Sequence, residues 1–245
     1  MDNNNNIKIS SDNNELLSLL TELRQQQADL RKQLIGEEEQ LNQIAQRLWL
    51  QQEHERAQLS RELHDGLGQV LTSLKTQLQH LNSNEPLRES LIETATLAVD
   101  SARDIARMLH PTILSDLGLS AAVSWLARQL LEPAGITYQV NVELPERLSK
   151  DLELFVFRLL QEICVNTVKH AHAKTMQVII QRQAGGIQVV VADDGIGFEV
   201  SSHSGLGLHS LADRCRAFGA ELDMRSAPEQ GTEYYIRIPG EGHSV

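Results

Sequence analysis

Leu16, Leu20, Leu23, Leu30, Leu34, Leu41, Ile44 and Leu48 follow one another in alternating steps of three and four residues, with Gln27 and Glu37 filling two of the slots. That spacing keeps one apolar stripe on one side of a helix and is a coiled-coil seam, incompatible with the two-residue period of a strand. After Leu48 the next seam residue is Leu59, and a step of eleven residues is a stutter that locally unwinds a left-handed supercoil. The stripe then continues through Leu63, Leu67, Val70, Leu74, Leu78 and Leu81.

Residues 82–86, Asn-Ser-Asn-Glu-Pro, read as a turn. A second helical stripe runs Leu87, Leu91, Ala95, Ala98, Ala102, Ile105, Leu109 and stops at Pro111. A two-helix hairpin buries little by itself, so two copies are expected to pair as a four-helix bundle, which makes the protein a homodimer. Past Pro111 the pattern changes. Residues 119–131 read as a helix, 136–144 as an alternating strand, and 148 to about 171 as a long helix. Strands follow at 175–182 and 186–194, a helix at 206–218, and strands near 221–227 and 233–239. This order predicts an α/β sandwich with helices layered on one sheet. A doubly wound dinucleotide fold would need its glycine fingerprint between the first strand and first helix, and here the glycines come late.

Composition narrows the chemistry. No apolar run approaches the roughly 18 residues of a membrane helix, and the polar N-terminus, MDNNNNIKISSDNN, lacks the regions of a signal peptide. A cytoplasmic chain is therefore expected, with Cys164 and Cys215 as reduced structural thiols in no metal-ligand spacing. The formal net charge of −11 disfavours nucleic acid and anionic membranes as direct partners.

Four clusters carry chemistry. In QEICVNTVKHAHA, Glu162, Asn166, Lys169 and His170 fall on one side of a regular helix, with Val156, Leu160, Cys164, Thr167 and Ala171 opposite. An acid, an amide and a base together offer hard oxygens to Mg²⁺ and a point charge to phosphate; a plain solvated face is the other reading. In VVVADDGIGFEV a buried strand runs into Asp193, Asp194, Gly195, Ile196 and Gly197. A carboxylate there can accept a hydrogen bond from an exocyclic amine, and the glycines let a ligand approach the backbone; the other reading is an ordinary acidic turn. Gly205-Leu206-Gly207-Leu208 opens a helix, whose free N–H groups and dipole suit an anion. Finally, Gly231 and Thr232 begin the last strand.

The order and spacing of these four resemble the N, G1, G2 and G3 boxes of the GHKL ATP-binding fold, shared by sensor histidine kinases, gyrase, Hsp90 and MutL. The resemblance implies that Asn166 ligates Mg²⁺ and Asp193 reads the adenine amino group. Gly195 and Gly197 would line the base pocket, Lys169 and His170 would sit near the phosphates, and 198–207 would be a mobile lid over ATP. Upstream, ERAQLSRELHDGLGQVLTSL and ARMLHPTILSDLGLSAAVSWLA resemble the phosphoacceptor hairpin of the nitrate-sensor and DegS-like subfamily of two-component histidine kinases. The likeness covers about residues 53–239. It divides the chain into a polar disordered tip (1–14), a coiled-coil signalling helix (15–52), a dimerisation and phosphotransfer hairpin (53–111), a GHKL domain (112–240) and a tail (241–245).

A neutral imidazole nitrogen can attack the γ-phosphorus of ATP if the proton on its other nitrogen is managed. Asp65, beside His64, can hold that proton, so His64 is the expected phosphoacceptor and Asp65 its base. Gln69 lies one helical turn beyond Asp65, and the family pattern implies that it orients water to hydrolyse an aspartyl phosphate on a partner. His54, His80 and His110 read as ordinary surface or core residues. Gly66 and Gly68 each cost a helix roughly 1 kcal/mol relative to alanine, and their missing side chains would leave room for a second domain to reach His64. The resemblance implies a response regulator of the NarL/LuxR helix-turn-helix type as the receiver, and an upstream sensor protein or sensor domain as the input. The other readings are a GHKL-type conformational ATPase or dimeric adaptor, and a coiled-coil scaffold with a degenerate nucleotide site.

Overall fold

The structure, a computed structural model, describes residues 3–80, 86–199 and 206–240. It divides into two compact units, Met1–Arg47 and Leu48–Val245. The turn at 82–85, most of the lid, Gly205 and the tail lie outside the described residues.

The first unit is the leading part of α1 (Asn3–Glu62). The helix begins inside the stretch expected to be a disordered tip. Extending an existing helix adds a hydrogen bond for each residue fixed, so residues of indifferent propensity join it. Leu23, Leu30, Leu34, Leu41 and Ile44 are 52–66% exposed, so these seam residues are left uncovered by the described residues of their own chain.

In the second unit, α1 continues into a π-helical turn (Leu63–Gly68), then α2 (Gln69–His80) and α3 (Pro86–Leu109). Arg88 ends α2: its Nε donates to the Leu78 carbonyl at 3.0 Å and a second nitrogen to that of Gln79, satisfying carbonyls the helix leaves open. Ala95, Val99, Ala102 and Ala106 are the buried line of α3, which packs along α2 and the π turn. Small residues there allow close approach, and the buried Ser60 hydroxyl donates to the Ala106 carbonyl at 2.8 Å. The seam expected for α3 is therefore split. Ala95 and Ala102 are covered, whereas Leu91 and Ile105 are exposed, as are Leu97 beside them and Leu59, Leu67, Val70 and Leu74 on the preceding helices.

The remainder is a two-layer α/β sandwich, as the alternation of elements predicts. Its sheet comprises β1 (Thr137–Glu143), β2 (Thr175–Gln183), β3 (Gly186–Asp193), β4 (Glu221–Ser226) and β5 (Thr232–Pro239), in the order β1-β2-β3-β5-β4. Only the β1–β2 pair is parallel. One face alternates Val178, Ile180, Val189, Val191 and Ile236, all buried, under helices α4 (Thr112–Leu131), α5 (Lys150–Asn166) and α6 (Leu206–Ala217). The α4 axis breaks at Gly118, whose φ of 84° favours glycine. Arg147 satisfies carbonyls freed there, donating to Leu114 at 2.6 Å and Ser115 at 3.2 Å. Cys164 and Cys215 are free and buried, and burial pushes their thiols up to about 12 and about 11, so both stay protonated and unreactive.

A buried cation joins the hairpin to the sandwich. Arg158 of α5 is 2% exposed and grips Glu53 of α1, with Nε 2.9 Å and Nη2 2.6 Å from Oε2. Its guanidinium also donates to the Met108 carbonyl at 2.9 Å and the Leu109 carbonyl at 2.6 Å, at the end of α3. Beside this pair Trp49 meets Phe218 edge-on at 4.8 Å, and Phe218 stacks on Phe155 at 4.3 Å.

Candidate functional site

His64 lies in the π turn, its side chain 68% exposed, with Nδ1 3.2 Å from Oδ1 of Asp65. A carboxylate only accepts, so Nδ1 carries the proton of this pair and Nε2 presents a lone pair. The sequence pattern assumes an α-helix here. The structure instead inserts an extra residue into the turn, a wide winding often found at functional positions. A Cβ at Gly66 would meet nothing within 4 Å, and one at Gly68 only the Leu63 carbonyl at 3.8 Å, so no contact among the described residues requires either glycine. His64 and Gln69 line one cavity of about 240 Å³, with Asp65 outside its walls.

The second cluster forms where α5 passes into another π turn, Thr167–Ala171. Glu162 and Asn166 are half-buried, and Lys169 and His170 are exposed. A helical wheel that places all four on one side assumes α geometry throughout. The π turn changes the angle per residue after Asn166, so that wheel stops at Asn166. Thr167, assigned by the wheel to the sheet side, is indeed buried, yet its hydroxyl lies 3.4 Å from Oδ2 of Asp193.

The two adjacent aspartates separate cleanly. Asp194 is exposed, and its Oδ1 accepts from the N–H groups of Lys174 at 2.7 Å and Thr175 at 2.8 Å, capping the start of β2. Asp193 is half-buried, and Oδ1 accepts the Gly195 N–H at 3.0 Å. Burial raises its carboxyl above the ordinary carboxylate range, opposed by the Gly195 N–H, the Thr167 hydroxyl and the Thr232 N–H. A carboxylate in partly dry surroundings is well suited to reading a donor.

The glycines Gly195, Gly197 and Gly231 stand at close approaches of backbone to backbone. A Cβ on Gly195 would collide with the Ala171 carbonyl, and one on Gly231 with the Asp193 carbonyl. Gly197, at φ 58°, would collide with the Ala227 carbonyl. These glycines let three backbone segments close on each other. The Ile196 N–H donates to Ala171 at 2.8 Å and the Glu229 N–H to Ile196 at 2.6 Å, completing the stitch. Ser226, which sequence reasoning missed, is its hub: its hydroxyl donates to the Gly231 carbonyl at 2.9 Å, accepts the Phe198 N–H at 2.9 Å and lies 3.2 Å from the Thr232 hydroxyl. Thr232 itself is buried and sits opposite Asp193 in the β3–β5 register. Leu206, Gly207 and Leu208 form the first turn of α6.

Residues 151–242 match the family described as histidine kinase-, DNA gyrase B- and HSP90-like ATPase, and residues 55–114 match a histidine kinase family. The chain is 33% identical over 227 residues to the signal transduction histidine-protein kinase/phosphatase UhpB of Salmonella typhimurium, covering 89% of this chain and 44% of that protein. It is 30% identical over 200 residues to the oxygen sensor histidine kinase NreB of Staphylococcus carnosus, covering 77% of this chain and 57% of that one. With the sensor histidine kinase MctS of Rhizobium johnstonii it shares 30% identity over 213 residues, covering 81% and 46%. The chain thus spans about half the length of these relatives. With a histidine kinase hairpin and a GHKL-type ATPase domain on one polypeptide, it belongs to the sensor histidine kinase family.

Proposed function

We propose that this chain is an ATP-dependent, autophosphorylating protein-histidine kinase of a two-component system, with His64 the phosphoacceptor. The observation that carries this reading is the exposed His64–Asp65 pair, Nδ1 to Oδ1 3.2 Å, on a chain that also matches the ATPase family. Asp65 fixes the proton on Nδ1 and stabilises the imidazolium that forms as Nε2 attacks. At the other site Asp193 reads the adenine amino group, and Lys169 and His170 lie near the phosphates. Gly205, Leu206, Gly207 and Leu208, together with Glu162 and Thr232, bind the nucleotide in this reading.

No group of three or more His, Cys, Asp or Glu among the described residues could hold a metal. Mg²⁺ keeps waters and substrate phosphates as ligands and needs few protein oxygens, of which Asn166 would supply one. The domain division drawn from the sequence is part of the proposal, apart from a disordered tip, since α1 already runs from Asn3. The exposed Leu59, Leu67, Val70, Leu74, Leu97 and Ile105 favour a homodimer joined through the hairpin, since isolated helices leave such residues uncovered only until a second copy packs on them. An upstream sensor supplies the input, a NarL/LuxR-type regulator receives the phosphoryl group, and the chain works in the cytoplasm. Among the described residues no helix is long and apolar enough to cross a membrane.

Incubating the protein with labelled ATP and Mg²⁺ should give a phosphoprotein that is acid-labile and base-stable, as expected of phosphohistidine. Base-labile, acid-stable label would reject the reading. Gln69, beside His64, orients water against the phosphorylated regulator, a role consistent with the kinase/phosphatase name of the Salmonella relative. In Gln69→Ala, autophosphorylation should persist while regulator dephosphorylation slows by about 10- to 100-fold. Unchanged dephosphorylation would remove that role.

A further inference from the structure

Across the hairpin from His64, α3 contributes Ala102 and Arg103 to the same cavity of about 240 Å³ that His64, Gly68, Gln69 and Thr72 line. The Thr72 hydroxyl is already committed, donating to the Gly68 carbonyl at 2.7 Å, and Ala102 is buried. Among the described residues that line the cavity, Arg103 is the full positive charge. Its ion pair with Asp100 is long, 3.4 Å, and both side chains are more than half exposed, at 52% and 59%. Water screens such a pair, so the guanidinium is available to a stronger anion.

We propose that Arg103 is a catalytic residue that grips the phosphoryl group carried on Nε2 of His64. The inference rests on His64 being the acceptor. When the Nε2 lone pair forms the N–P bond, the bond from the γ-phosphorus to ADP breaks and its electron pair leaves with ADP; the Nδ1 proton stays facing Asp65. The histidine then bears a phosphoryl group with up to two negative charges. A guanidinium matches two of its oxygens with parallel N–H donors, where an amide such as Gln69 offers a neutral contact. In the onward step the carboxylate oxygen of the regulator's aspartate bonds to phosphorus and the N–P electrons return to Nε2. Arg103 neutralises the charge in flight in both steps.

The test uses the full chain with ATP and Mg²⁺, following the rate of phosphohistidine formation and the ³¹P titration of the phosphoryl group. Arg103→Gln should slow phosphorylation about tenfold or more and move the ³¹P midpoint to higher pH, because the dianion loses its cation. Arg103→Lys should fall between, keeping the charge without the fork. Asp100→Asn leaves Arg103 intact and removes its competing carboxylate, so it should lower the midpoint. A wild-type rate and midpoint in Arg103→Gln would overturn the proposal; should that variant fail to fold, an unmoved midpoint in Asp100→Asn would do so. Label persisting in His64→Gln overturns the acceptor assignment itself, a result separate from either.

Discussion

With His64 replaced by glutamine, the protein is expected to bind nucleotide as before and to take up no label from ATP, a loss of more than about a hundredfold. Glutamine approximates the size of the imidazole but has no nucleophilic nitrogen. The proposed nucleotide cluster gathers around Asp193 and Thr167, on elements that include neither the Leu63–Gly68 turn nor α2, so binding should survive. Asn166→Ala should separate from it, losing label and Mg²⁺-dependent nucleotide affinity together, because its amide is the proposed metal contact. Both are read by label incorporation and by nucleotide titration with and without Mg²⁺. A conformational ATPase would give the opposite pattern, with ATP turnover in His64→Gln equal to wild type. Label at wild-type level in that variant would end the acceptor assignment.

Much of the architecture is written in short-range periodicity. The heptad steps, the alternation in β2 and β3, and the stop at Pro111 each depend on residues a few positions apart, where spacing and face are tied by backbone geometry. The His64–Asp65 pair is legible for the same reason, since neighbours in sequence must be neighbours in space. The π turns are not. One extra residue per turn leaves the helix helical and the composition unchanged, so Leu63–Gly68 and Thr167–Ala171 read as ordinary helix.

The glycines show a different limit. Gly195, Gly197 and Gly231 signal a close approach, but the sequence does not say of what to what; here carbonyls of Ala171, Ala227 and Asp193 approach them. Asp193 and Asp194 are adjacent carboxylates, and the fold tells them apart by half-burying Asp193 beside the Gly195 N–H and setting Asp194 as the cap of β2. Arg158 was the least legible of all. It sits in the apolar run Phe155–Leu160 as a lone charge, and its partner Glu53 lies 105 residues away. Nothing local in either segment names the other.

Replacing Arg158 with alanine is expected to cost about 3–5 kcal/mol of stability, because a buried carboxylate would lose its partner. Glu53 is 5% exposed, and besides Arg158 its recorded contact is Arg56 at 2.9 Å, on a side chain 31% exposed and open to screening. Burial lowers the Arg158 guanidinium's proton affinity and Glu53 partly offsets that, so each charge is tolerated through the other. Arg158 also holds the Met108 and Leu109 carbonyls at the C-terminal end of α3, where a cation suits the helix dipole. Truncation therefore unties α1, α3 and α5 at one point. The decisive comparison is the pair Arg158→Met with Glu53→Met, which removes both charges and keeps apolar volume. By the behaviour of other buried ion pairs it should recover most of the loss in either single variant, with a coupling of about 0.5–3 kcal/mol in a double-mutant cycle. Urea melts at one protein concentration measure wild type and every variant, since a dimer's apparent stability moves with concentration. If Arg158→Ala melts with wild type, or the double variant is as weak as the sum of the singles, the pair is not the joint between hairpin and sandwich, and the Trp49–Phe218–Phe155 stack beside it carries that load instead.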